Sequence, residues 1–216
     1  MKLYVYDHCL FCVRARMIFG LKNLSAELII LANDDEATPI SLVGKKMVPI
    51  LIKNDGTAMP ESLDIVRYID ENFGKQILSE QVRSDLENWI QRVSGYYKHL
   101  VSPRFVKIGL EEFSTQSAVD YFIKKKTETV GDFAENIANS AQYIEEINKD
   151  LIALSPLIKA DDKANGEQLS IEDILLFPIL RNLTCVKGVI YPNNVEHYMK
   201  KMAELAKIAF YTDRAI

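Results

Sequence analysis

The tetrad Cys9-Leu10-Phe11-Cys12 is the segment whose residue types and spacing could do chemistry. It lies between residues 3–6, short, apolar and rich in Tyr and Val as a buried strand is, and Cys12–Lys22, whose Val13, Met17, Ile18 and Leu21 recur at helical spacing. A cysteine at a strand-to-helix junction meets unpaired backbone N–H groups and the positive end of the helix dipole. That environment stabilises a thiolate and lowers the pKa of Cys9 below the free value of ~8.5. Cys12, one turn further in, is expected to be more buried, less ionised and close enough to form a ring with Cys9. An accessible low-pKa attacker and a resolving thiol are what thiol–disulfide exchange requires.

Other readings of the pair exist. It could be half of a zinc site, but His8, His99, His197 and Cys185 supply no second ligand pair, and no metal is expected. It could be two inert buried thiols, against which its place at a loop-to-helix junction argues. His8 could pair with the Cys9 thiolate, although strand neighbours point to opposite faces. Arg14 and Arg16 read as solvated helix-surface arginines. Cys185, beside Leu183 and Val186, reads as a buried small hydrophobe.

Two further segments could hold a ligand. In Met47-Val48-Pro49-Ile50 a proline interrupts an apolar strand pattern. A cis Val48–Pro49 bond would explain it and would leave the Val48 N–H and C=O free to pair with an extended, peptide-like ligand; an edge-strand proline is the alternative. In Pro60-Glu61-Ser62-Leu63-Asp64, a helix start with a serine hydroxyl suits a carboxylate, and Glu61 suits an ammonium. Together they match an α-amino acid head group, while Ser62 as a simple N-cap is the plainer reading.

The elements that must position these residues follow from the pattern. Glu27–Ala32 reads as a second strand. Thr38-Pro39 reads as a helix N-cap and first turn, with Gly44 as the stop. Met47–Ile52 reads as a third strand, Asn54-Asp55-Gly56 as a hairpin turn, Thr57–Met59 as a fourth strand and Ser62–Phe73 as a helix. The order β-α-β-α-β-β-α is thioredoxin-like. Residues 75–80 read as a linker and the rest as helical: Ser84–Val101 broken by Pro103, a long region Ser117–Leu154 with Gly131 as a break, Ser170–Leu183 and Val195–Phe210. Ser170 and Asp173 form a short capping box, with Leu169 and Ile174 as its staple. The expected fold is an α/β thioredoxin-like domain at residues 1–74 and an all-α domain at residues 81–216.

Composition sets the outer bounds. Lys+Arg number 26 against 30 Asp+Glu in 216 residues, so the net charge is −4, which argues against a general affinity for nucleic acid or anionic membrane. Three cysteines exclude a disulfide scaffold. No signal sequence is visible at the N-terminus and no run reaches the ~18 apolar residues of a membrane span, so a soluble, cytoplasmic protein is expected.

Tyr-Asp-His-Cys9-x-x-Cys12, Arg16-Met-Ile-Phe-Gly-Leu-Lys22, Asn33-Asp-Asp35, Val48-Pro49 and Pro60-Glu-Ser-Leu-Asp64, in this order and spacing, resemble the glutaredoxin 2 family, the large bacterial glutaredoxins with a glutathione transferase-like two-domain architecture. The resemblance implies Cys9 as nucleophile and Cys12 as resolving thiol. It implies glutathione as cosubstrate, held at Cys9, Phe11, Val48, Pro49, Glu61 and Ser62. It also implies glutathionylated or disulfide-bonded proteins as partners, a monomer, and Ser170/Asp173 as a structural cap. Lys45, Lys46 and Arg14 are the candidates for the glycyl carboxylate of glutathione. One departure stands out: dithiol glutaredoxins commonly carry Pro-Tyr between the cysteines, and here the pair is Leu10-Phe11, which relaxes the backbone and keeps an aromatic wall without its hydroxyl. Alternative functions are a glutathione transferase or thiol-transferase acting on small electrophiles, and a glutathione-ligated iron–sulfur binding protein.

Overall fold

The computed structural model describes all 216 residues. The first part of the chain alternates strands and helices: β1 (Lys2–Val5), α1 (Leu10–Leu21), β2 (Glu27–Ile30), α2 (Ala37–Val43), β3 (Ile50–Ile52), β4 (Ala58–Met59) and α3 (Ser62–Asn72). The sheet order is β2-β1-β3-β4, with β1 and β2 parallel and β3 antiparallel to both β1 and β4. Buried Leu3, Val5 and Leu51 share one core with Val13, Met17 and Ile18 of α1 and Ile65, Val66 and Ile69 of α3. This is the thioredoxin-like arrangement. The register places the end of β1, and therefore the start of α1, beside the start of β3.

The remainder is helical: α4 (Ser84–Ser94), α5 (Tyr97–Phe105), α6 (Gln116–Val130), α7 (Phe133–Ala138), α8 (Ser140–Leu154), α9 (Ile171–Leu183) and α10 (Asn193–Ala206), with short 3-10 turns between some of them. The apolar core continues from α1 and α3 into α4, α5, α9 and α10 without a polar layer between them. Helix α1 packs so tightly on α10 that a Cβ at Gly20 would collide with the Ala206 carbonyl. The segment between α3 and α4 is fastened at both ends. The buried Asp70 carboxylate accepts the Ile77 and Leu78 N–H groups and pairs with Lys22 at 3.0 Å. Ser79 bridges to Ser170.

Several local expectations need correction. Residues 84–101 form two helices rather than one, separated at Gly95–Tyr96, and Pro103 lies inside α5 instead of ending it. Burial of Leu100, Val101 and Phe105 keeps α5 helical through the lost backbone bond. The long region divides at Gly131 (φ 75°), as its glycine suggested, but also at Asn139. Thr38 is not the cap of α2; its N–H is instead taken by the Asp35 carboxylate at 2.9 Å. Strand β3 begins only at Ile50, because Pro49 before it has no N–H to give to a ladder. The last helix stops at Ala206, where Lys207 adopts a left-handed φ of 56°.

Ser170 and Asp173 close a capping box on α9. The Asp173 carboxylate takes the Ser170 N–H at 2.9 Å, the Ala164 N–H at 2.8 Å and the Tyr198 hydroxyl at 2.9 Å, all buried. It therefore ties α9, α10 and the loop before α9 together, beyond capping one helix. Loss of a cap costs about 0.5–2 kcal/mol, and each buried donor left without a partner adds about 1–3 kcal/mol. Asp173→Ala is expected to cost about 3 kcal/mol or more, lowering Tm by roughly 6–12 °C. Ser170→Ala should stay within the cap range. Thermal melts of the two variants check this, and equal shifts would contradict it.

Candidate functional site

Cys9 is the N-cap residue of α1, with extended backbone angles (φ −73°, ψ 121°), and its carbonyl accepts the Val13 N–H at 2.9 Å. The helix thus begins at Leu10, two residues earlier than the apolar spacing suggested. Cys9 is half-buried, whereas Cys12 and Cys185 are buried. The Cys12 sulfur accepts the Tyr6 N–H at 3.4 Å.

The two thiols of the pair are driven apart in acidity. The Cys12 thiol hydrogen-bonds to Cys9, the charge on the His8 ring attracts its thiolate, and the Cys12 and Phe11 N–H groups point at it. Together they overcome burial and pull Cys9 down to about 6. Burial and the neighbouring Cys9 push Cys12 well above the ordinary thiol value. Burial raises Cys185 to about 12.

His8 is not a strand residue, because β1 ends at Val5, so alternation of strand faces does not govern it. Its ring sits among Phe105, Phe113 and Phe122, with centroids at 5.0, 5.2 and 5.1 Å. The buried Glu112 carboxylate lies 2.7 Å from Nδ1 and accepts the His8 backbone N–H at 3.0 Å with the same oxygen. Burial opposes ionisation of Glu112, but the His8 contacts hold its carboxyl below its ordinary value. A carboxylate can only accept, so Nδ1 carries the hydrogen.

The rest of the loop is held equally firmly. Arg181 of α9 donates to the Asp7 carbonyl at 2.6 Å and to its carboxylate at 2.9 Å, and Asn182 donates to the His8 carbonyl at 2.7 Å. Tyr211 also donates to Asp7, at 2.8 Å. Burial favours neutral Asp7, yet Arg181 and Arg16 keep its carboxyl well below the usual range. Arg16 is therefore an interior ion-pair partner and not a solvated surface residue. Arg14 departs from that expectation too. Its guanidinium stacks on Phe11 at 4.9 Å from the ring centroid, and its Nε is buried without a partner.

The segments singled out for ligand binding converge. Phe11, Met47, Val48, Pro49, Glu61 and Ser62 line one cavity of about 220 Å³. Phe11 is 53% exposed and forms an apolar wall. The Val48–Pro49 bond is cis, and no hydrogen bond within the chain uses the Val48 N–H or C=O. Ser62 is buried and is the first residue of α3, so the N-cap position belongs to Glu61. Glu61 holds a positive φ of 69°, a conformation that a non-glycine residue adopts at a cost. The first backbone bond of α3 runs from Ile65 to Glu61, leaving the N–H groups of Ser62, Leu63 and Asp64 open to an anion. Lys45 lies 3.6 Å from Glu61, whereas Lys46 turns away, bonding to the Asn33 carbonyl at 2.6 Å and stacking on Tyr121. A second cavity, of about 290 Å³, opens on the other side of Cys9 toward α5 and α6. No group of three or more His, Cys, Asp or Glu side chains is arranged to hold a metal ion, and no helix is long and apolar enough to cross a membrane.

Sequence reasoning missed Glu112, Arg181 and Asn182. Nothing around Glu112 marks it, but an arginine and an asparagine closing the apolar run Ile174–Leu180 were a visible anomaly.

In the fully reduced protein, iodoacetamide is expected to alkylate Cys9 alone. Because only the thiolate reacts, the rate should rise through a midpoint of about pH 6, about three units below the ordinary thiol. Peptide mapping across a pH series checks both points. A midpoint near 9, or equal labelling of Cys185, would contradict the geometry.

Residues 85–215 match the family model for the glutaredoxin 2 C-terminal domain, and residues 3–77 match that for the glutathione S-transferase N-terminal domain. The chain is 48% identical to glutaredoxin 2 of Escherichia coli strain K12, over 100% of both chains. The crystal structure of glutaredoxin 2 from Salmonella typhimurium in complex with glutathione is 49% identical, covers 100% of this chain and 98% of its own, and superposes with a TM-score of 0.97. A glutathione transferase from Phanerochaete chrysosporium shares the fold at 13% identity, with a TM-score of 0.70 over 94% of this chain and 96% of its own. The chain belongs to the glutaredoxin 2 family.

Proposed function

We propose that the chain reduces glutathione mixed disulfides and protein disulfides through Cys9 and Cys12, with glutathione as cosubstrate. Membership of the glutaredoxin 2 family supports a glutathione-dependent oxidoreductase. The observation that carries the finer reading is the split acidity of the pair, one thiol lowered to about 6 and half-buried, the other raised and buried.

The Cys9 thiolate attacks the glutathione sulfur of a mixed disulfide. The old S–S bond breaks, its electron pair leaves with the substrate thiolate, and a Cys9–glutathione disulfide forms. A second glutathione thiolate attacks that disulfide, releasing oxidised glutathione and restoring Cys9. With a protein disulfide, Cys12 displaces the substrate from Cys9, and glutathione then reduces the Cys9–Cys12 ring. The complex of the Salmonella relative with glutathione supports glutathione as the ligand, and the groups lining the cavity of Phe11, Val48, Pro49, Glu61 and Ser62 suit it. There the free Val48 N–H and C=O would pair with the cysteinyl backbone. The open N–H groups of α3 and the Ser62 hydroxyl would hold the γ-glutamyl carboxylate, and Glu61 its ammonium. Such fixing of both ends aligns the sulfur for in-line attack. The proposal divides the chain at residues 75–80, between a glutaredoxin domain (1–74) and a helical domain (81–216). The change from strands to helices alone after α3 supports that division.

Mass spectrometry of Cys12→Ser protein exposed to oxidised glutathione tests the chemistry. One stable glutathione adduct, at Cys9, is expected, together with retained deglutathionylation. Cys9→Ser should form no adduct and lose exchange. Exchange at the wild-type rate in Cys9→Ser would end the proposal.

A further inference from the structure

The cavity on the helical side of Cys9 has a charge pattern that nothing so far explains. Its lining includes Lys46, Lys98, Lys125 and Lys126 and not one aspartate or glutamate, in a chain whose net charge is −4. Lys98 projects from α5, and Lys125 and Lys126 from α6. None of these three makes a hydrogen bond or an ion pair within the chain, although most of the other lysines do. Lys126 is half-buried against the Phe122 ring, 5.6 Å from its centroid. Burial and the nearby Lys98 both disfavour its charge, while the Cys9 thiolate favours it. The floor is aromatic and apolar, formed by Tyr97, Val101, Phe105 and Phe122. Cations gathered over an apolar floor, one of them half-buried and none facing an acidic residue of the same lining, form a receptor for an anion that also carries apolar surface.

We propose that this cavity receives the non-glutathione half of the mixed disulfide and selects substrates whose thiol is flanked by carboxylates. This rests on the exchange chemistry proposed above and names its substrate class. The cavity meets the glutathione cavity at Phe11 and Val48 and includes Cys9, so a disulfide seated across the two presents its sulfurs to the nucleophile. When the Cys9 thiolate takes the glutathione sulfur, the departing acidic thiolate remains beside Lys98, Lys125 and Lys126. Their charges favour binding the carboxylates.

The test compares kcat/KM for three glutathione mixed disulfides, formed with mercaptosuccinate, 2-mercaptoethanol and cysteamine. Wild-type protein should prefer the mercaptosuccinate compound over the cysteamine compound by about tenfold at low salt, falling toward parity at about 0.3 M salt. The triple variant Lys98→Gln/Lys125→Gln/Lys126→Gln should lose that preference and keep its rate on the uncharged 2-mercaptoethanol disulfide within about twofold. The corresponding Lys→Arg triple variant should retain it. Absence of the preference in wild type, its survival in the glutamine variant, or an equal loss on all three compounds would overturn the proposal. Failure of wild type on the 2-mercaptoethanol disulfide itself would instead remove the exchange chemistry on which it rests.

Discussion

Everything at the site depends on one short loop, Asp7-His8-Cys9, being held in place from the other half of the molecule. The loop leaves the sheet at Val5 and has no strand pairing of its own beyond that point. Glu112 binds both the backbone and the ring of His8; Arg181 binds the carbonyl and carboxylate of Asp7; Asn182 binds the His8 carbonyl. Three charged or polar groups from helical segments thus satisfy the loop's backbone where water would otherwise do so. A buried loop must find such partners, because unpaired peptide groups in the interior are costly. The helical part of the chain is therefore a structural component of the redox site. Its apolar contact with α1, tight enough to exclude any side chain at Gly20, keeps those partners in register.

That anchoring has an electrostatic consequence. Desolvation by itself would protonate Cys9, and the N–H groups at the start of α1, the Cys12 thiol and the charged His8 ring reverse it. Glu112 sits on the far side of the ring, accepts from Nδ1 and from the His8 backbone N–H, and so fixes the ring beside the thiolate. Leu10-Phe11 in place of Pro-Tyr does not disturb this arrangement. Helix α1 simply starts at Leu10, and Phe11 becomes the exposed wall shared by the cavities on either side of Cys9.

Much of the first part of the fold was legible because its signals are local. The apolar runs of β1 and β2, the Asn54-Asp55-Gly56 turn, Gly44 at φ 78° and the proline anomaly at Pro49 each concern a few adjacent residues. Phe11, Val48, Pro49, Glu61 and Ser62, which line one cavity, all lie in short motifs that stand out in the sequence. The partners of His8, Asp7 and Asp173 were not legible, since they join residues 104, 174 and 25 positions apart. Arg16 looked like a surface arginine because nothing near it in sequence announces Arg181 or Tyr211 as co-ligands of Asp7. Pro103 misled for the same reason, tertiary burial having overruled a local rule.

The central claim is that Glu112, acting through His8, helps hold Cys9 as a thiolate. The direct measurement is the pH dependence of Cys9 alkylation in reduced Glu112→Gln protein shown by its melt to be folded. The amide keeps a hydrogen-bond acceptor for His8 but removes the carboxylate that anchors the ring beside the thiolate. The account predicts that the midpoint rises from about 6 by roughly one unit toward the ordinary thiol value. A midpoint unchanged at about 6 in the folded variant would contradict it.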